Sequence, residues 1–206
     1  MKKHSISLAA IGALSLLSAG CSTAQEPASA PTAPVVESIA PSASPSPIAS
    51  TGPKKSARGN YVKNVGETSS MWTGNDKKTT VVFTINSITV DPACTTPHAV
   101  PAEKGHFVVL DASIESTPDL ANASFTRFDL SPHTWQLIGA NGTTFNGSLA
   151  SGPSYSCFDE SEVLPINGVG PGEKVTGKIV LDVPVATGTL MFKPLGGSSG
   201  GWEWTF

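Results

Sequence analysis

The chain has 206 residues, of which 14% are charged, with 16 acidic against 13 basic side chains and a net charge of −3. That balance argues against nucleic acid as a partner, since nucleic acid rewards dense Lys and Arg, and it gives little attraction to an anionic membrane surface. The low charged fraction, 20 glycines and many Thr, Ser and Val residues point to β-structure.

The N-terminus opens with Lys2 and Lys3 and continues as the apolar stretch "ISLAAIGALSLLSAG". This is the three-part layout of a secretory signal, and it is too short to serve as a permanent membrane span. Leu17-Ser18-Ala19-Gly20-Cys21 then resembles the bacterial lipobox, in which the cysteine is acylated and the signal is cut before it. Ser18 stands where that pattern usually has leucine, and the competing reading is a plain signal with an incidental cysteine. Residues 1–20 are thus expected to be a lipoprotein signal peptide, and Cys21 the lipid attachment site. Acyl chains bind a bilayer by about 0.8 kcal/mol per buried methylene, so two of them anchor the chain without a transmembrane helix. Loss of Lys2 and Lys3 leaves 11 bases against 16 acids, a mature net charge near −5.

Residues 21–60 read as a disordered tether. Pro recurs at positions 27, 31, 34, 41, 45, 47 and 53 among Ala, Ser and Thr, with almost nothing large and apolar to bury. Pro and Ala keep such a segment semi-extended, with a reach on the order of 100 Å. This suits a stalk through a cell wall; the plainer alternative is a leader of no particular length. Lys54, Lys55 and Arg58 at its end read as a solvated basic cluster.

Residues 61–206 are expected to form one domain. Period-two alternation recurs along it, with no sustained helical period. In "TTVVFTINSITV", Val81, Phe83 and Ile85 share one face while Ile88 and Val90 have the other parity, so a bulge is expected near Ser87. Val108, Leu110, Ala112 and Ile114 alternate with Val109, Asp111, Ser113 and Glu115, as do Val175, Ile179, Leu181 and Val183 with Lys174, Thr176, Lys178 and Asp182. Trp202, Trp204 and Phe206 oppose Glu203 and Thr205. Asn141-Gly142 marks a hairpin, Pro171-Gly172 a type II turn, and Pro184 a strand end. Seven to eight short strands in about 145 residues predict an all-β fold, a two-sheet antiparallel β-sandwich.

Cys94 and Cys157 remain after the anchor. An exported chain is in an oxidising compartment, so a disulfide between them is expected; the alternative is a reactive thiol, which the acids at 159, 160 and 162 would blunt. His98, His106 and His133 are widely spaced and make no metal-binding motif. "CFDESE" lacks the spacing and the glycine of an EF-hand loop. No histidine follows Cys157, which removes a blue-copper site. No GxSxG elbow and no phosphate-binding glycine loop occurs. The sequence therefore assigns no catalytic residue, no metal ligand and no cofactor.

The segments "VKNVGET", "VVFTINSITVDP", "GHFVVLDASIES", "WQLIGANGTTF", "GVGPGEKVTGKIVLDVP" and "LMFKP" occur in that order. Together they resemble the immunoglobulin-like, telokin-like domains of exported and lipid-anchored proteins of Gram-positive bacteria and actinobacteria, a family without an assigned function. That family is similar in fold to the secreted mycobacterial immunoprotective antigen. The resemblance covers about residues 62–206 and implies an immunoglobulin-like sandwich outside the cell, with no catalytic residue carried over. The loop "CTTPHAVPAEKG" (94–105) departs from the simplest pattern.

The leading expectation is a non-enzymatic cell-surface lipoprotein on the outer face of the membrane. It would present loops 91–105 and 147–170 to a surface protein or wall polymer, with Tyr155 and Phe158 as an exposed aromatic patch. The alternative is a solute- or metal-binding lipoprotein using His98, His106 and His133 or the acids near Cys157. An unrecognised hydrolase would need a polar cleft with a base beside a nucleophile.

Overall fold

The structure is a computed structural model that describes residues 52–73, 77–194 and 200–206. The signal segment, Cys21 and most of the tether lie outside the described residues. The described residues all belong to one compact unit, Ala49–Phe206.

Eight strands are present among the described residues: β1 (Tyr61–Val62), β2 (Thr68–Thr73), β3 (Lys78–Val90), β4 (His106–Ser116), β5 (Trp135–Gly139), β6 (Lys174–Val183), β7 (Gly188–Phe192) and β8 (Trp202–Thr205). They form two four-stranded sheets, ordered β1-β8-β7-β5 and β2-β3-β4-β6, packed as a sandwich of the expected class. One pairing departs from the antiparallel expectation: β1 runs parallel to β8, with Tyr61 opposite Trp202. A two-residue strand carries no periodic signal in the sequence.

Alternation sets the core. Val81, Phe83 and Ile85 of β3, Leu110, Ala112 and Ile114 of β4, Ile179 and Leu181 of β6, and Leu190 and Phe192 of β7 are all buried in one cluster. The register of β3 against β4 shifts between Ile85 and Ser87. The shift skips Asn86 and returns Ile88 and Val90 to the core side, as the parity change predicts. Phe83, Phe128, Trp135, Phe192, Trp202 and Trp204 meet at ring-centroid separations of 5.2 to 6.5 Å. Each large apolar side chain removed from water contributes about 1.5–3 kcal/mol.

The turns follow the sequence. Gly142 has φ of 82° in the hairpin after β5, where its N–H donates to the Gly139 carbonyl at 2.8 Å. Gly172 has φ of 73° after Pro171. Ser116 Oγ closes that turn, donating to the Gly170 carbonyl and accepting from the Glu173 N–H at 3.0 Å.

Three expectations about exposure are corrected. Glu203 was assigned to the solvent side of β8, yet it is only 4% exposed, because Arg58 and Asn60 cover it. The folded part therefore begins before Tyr61: Lys55 bridges Tyr61, and Arg58, though exposed, is an ion-pair partner of Glu203. Asp182 was assigned to the polar side of β6 and is fully buried, its carboxylate accepting the Glu103 and Lys104 backbone N–H groups at 2.9 Å each.

Candidate binding site

Phe107 and Val109 of β4 and Val180 of β6 point away from the main core, so the outer face of this sheet needs a cover at that end. Loops supply it. Cys157, Phe158, Cys94, Ala102 and Val163 pack on these three residues as a second apolar cluster.

Two local devices shape the covering loops. Asp91 leaves β3 with φ of 49°, and its carboxylate accepts the Phe107 N–H at 2.9 Å and His106 Nδ1–H at 2.7 Å. Those bonds hold the Asp91 carboxyl below its ordinary range, His106 first. The second loop carries a short helix, α1 (Gly152–Ser156). Ser151 Oγ accepts the Ser154 N–H, and Ser154 Oγ accepts the Ser151 N–H, each at 3.1 Å. This is a capping box built from two serines. The "SGPSYS" stretch carries that signal in the sequence, without the alternation that marks strands.

Cys94 and Cys157 are joined, with their Cα atoms 4.6 Å apart. The Thr95 and Thr96 N–H groups donate to the Cys157 carbonyl, and the Thr96 hydroxyl donates to the Ser156 carbonyl. Glu162 accepts from Thr95 Oγ1 at 2.6 Å and from Lys178 Nζ at 2.8 Å. Lys178 and then Thr95 hold the Glu162 carboxyl below the usual carboxylate range. Loops 91–105 and 147–170 are thus tied to each other by a covalent bond, backbone hydrogen bonds and the Thr95–Glu162 side-chain bond, while the Glu162–Lys178 ion pair pins the second loop to β6.

The two residues of the expected aromatic patch differ in exposure. Tyr155 is 51% exposed, with its hydroxyl 3.1 Å from His133 Nε2. Phe158 is buried: it fills the second cluster, and Lys178 Nζ lies 5.0 Å from its ring centre. Val100 on the facing loop is also half-exposed. The three histidines do not converge. His106 pairs with Asp91, His133 lies beside Tyr155, and His98 is exposed on its loop. Asp159 is occupied by the Ser161 N–H and hydroxyl, which hold its carboxyl low. Among the described residues no group of three or more His, Cys, Asp or Glu side chains is placed to hold a metal. Nor, among them, does a serine, threonine or cysteine hydrogen-bond to the His106–Asp91 pair.

No family model matches the chain, and no curated protein matches it. Among solved structures it is similar to a secreted protein of Mycobacterium tuberculosis, MPT63. The two are 12% identical, the alignment covers 71% of this chain and 98% of that one, and the TM-score is 0.41. A likeness this distant transfers no residue role.

Proposed function

We propose that this chain is a lipoprotein of the outer face of the cell membrane, anchored through Cys21, that presents a non-enzymatic immunoglobulin-like module to a surface protein or cell-wall polymer. The N-terminal run ending at Cys21 and the Pro-rich segment after it support the anchor and the spacer. One observation supports the binding role above the others: the joined loops 91–105 and 147–170 are held rigid while they leave Tyr155 and Val100 half-exposed. A rigid loop that carries an exposed aromatic residue loses little conformational freedom on binding.

Crosslinking on intact cells, followed by detergent extraction and mass spectrometry, tests this reading. The expected result is an acylated N-terminal Cys21 peptide and a partner, protein or polymer, lost in Tyr155→Ala. An unmodified Cys21 overturns the anchor, and a partner retained in full by Tyr155→Ala overturns the loop contact.

A further inference from the structure

The outer face of the β2-β3-β4-β6 sheet is open beyond the loop cover, and it carries an ordered row of hydroxyls. The register aligns Thr68, Thr84, Ser113 and Thr176, one from each strand, straight across the sheet. At a strand spacing of about 4.8 Å the row spans roughly 14 Å. Its members hold one another: Thr84 Oγ1 donates to Thr68 Oγ1 at 3.4 Å, and Ser113 Oγ lies 3.2 Å from Thr176 Oγ1. Asn86, skipped by the β3 bulge, donates to Ser113 Oγ at 2.9 Å and to Asp111 Oδ1 at 2.8 Å. A hydroxyl offers one donor and two acceptor positions. The row therefore keeps free bonding capacity while its rotamers are already fixed.

The two ends of this face differ. The β2–β3 register shifts between Met71 and Trp72, but the extra residue is on β3, so β2 keeps its alternation and Trp72, 48% exposed, stays on the side of Thr68 and Ser70. At the other end the disulfide-tied loops rise over Val109 and Val180 of the same face. The result is a polar surface with an exposed aromatic ring at one end and the loop cover at the other.

We propose that this face binds a chain of an uncharged polysaccharide. Sugar hydroxyls both donate and accept, as the row does, and the apolar face of a sugar ring packs on an exposed indole. Most charges on this face are paired: Glu115 with Lys174 at 3.1 Å and Lys178 with Glu162 at 2.8 Å, which leaves the Asp111 carboxylate, held by Asn86, as one net negative charge. Such a surface has little field to steer an ionic polymer, and what it has repels an acidic one. A protein partner needs an apolar centre that excludes water. Here, Trp72 and Val82 are the apolar side chains that the open stretch offers among the described residues. This names one of the partner classes of the proposed function but puts the contact on a different surface, so either stands without the other.

The test is retention of the full chain, extracted in mild detergent, in native gels cast with hydroxyethylcellulose, galactomannan or arabinogalactan. Carboxymethylcellulose serves as the charged control. At least one neutral polymer is expected to retard the protein. Trp72→Ala should weaken retention about tenfold, the loss of roughly one good stacking contact. Thr84→Val with Ser113→Ala should weaken it too, while Tyr155→Ala leaves it unchanged. Thermal unfolding checks that each variant is folded, and Thr176→Val replaces any that is not. No retention by the three neutral polymers, retention by the charged one alone, or equal retention of Trp72→Ala and the parent overturns the proposal.

Discussion

Arg58 grips Glu203 in a two-pronged ion pair, Nε to Oε2 at 3.1 Å and Nη2 to Oε1 at 3.0 Å, across 145 positions of sequence. The Glu203 side chain is 6% exposed and that of Arg58 42%. Asn60 completes the arrangement, donating to the same carboxylate at 3.3 Å while its Oδ1 accepts the Gly201 N–H at 3.0 Å. Removing one partner of a buried pair strands the other charge, at about 3–5 kcal/mol when both are fully buried. Solvent at the Arg58 end reduces this, so Arg58→Ala is expected to cost about 1–3 kcal/mol. Arg58→Lys should recover only part, because an ammonium lacks the fork. Urea midpoints check this; a midpoint unchanged in Arg58→Ala would return residues 54–60 to the tether.

The disulfide closes a loop of 63 residues. In the chain-entropy view, opening such a loop costs about 4 kcal/mol. Cys94→Ser with Cys157→Ser should lower the thermal midpoint accordingly. The loss of amide protection should concentrate in residues 91–105 and 151–163, while β3 and β4 keep their ranking as the most protected strands. Uniform loss of protection would show that the bridge supports the whole sandwich and not its loop cover.

The strands were legible in the sequence because alternation reports which side of a strand is apolar. The parity change between Ile85 and Ile88 even located the bulge. Alternation does not report what lies over the other side. Asp182 and Glu203 depart from the alternation for that reason: each sits on an outer face that an aperiodic segment covers, residues 101–105 for Asp182 and 54–60 for Glu203. The cysteine pairing was legible from compartment chemistry, whereas the burial of Phe158 has no periodic signal, because it lies in a loop and is set by the second cluster that it fills. Trp72 is not legible in the sequence because "TSSMWT" is too short and too polar to carry a strand signal.

Acid should weaken the loop ties in a defined window. The Asp91 and Glu162 carboxyls are held below their ordinary values of 3.8 and 4.5 by His106 and Lys178 respectively. A carboxyl lowered on folding adds stability above its unfolded value and loses it as pH falls through the folded one. Asp91→Asn and Glu162→Gln should therefore have lower urea midpoints than the parent at pH 6–7. The gap should narrow below about pH 4 and close near pH 2. A gap that stays constant down to pH 2 would mean that these carboxylates contribute by packing and not by charge.

The edge of β6 is guarded by a crossing segment, and one glycine permits the approach. The Leu164 N–H donates to the Lys178 carbonyl at 3.0 Å, and the Lys178 N–H donates to the Glu162 carbonyl at 2.9 Å. A Cβ on Gly177 would stand 2.8 Å from both Leu164 N and Val163 C, which are backbone atoms without freedom to turn away. Gly177→Ala must push residues 162–164 outward, break both bonds and bare the strand edge. Overpacking of this kind costs about 1–3 kcal/mol, and a bared edge is a template for pairing between chains. The variant is expected to unfold at lower urea, to exchange the Leu164 and Lys178 amides quickly, and to self-associate as concentration rises. Gly152→Ala is the matched control, since its Cβ meets nothing closer than Glu103 Oε1 at 3.9 Å. If both variants exchange those amides as slowly as the parent does, segment 162–164 is held by the disulfide and Lys178 rather than by its pairing with β6.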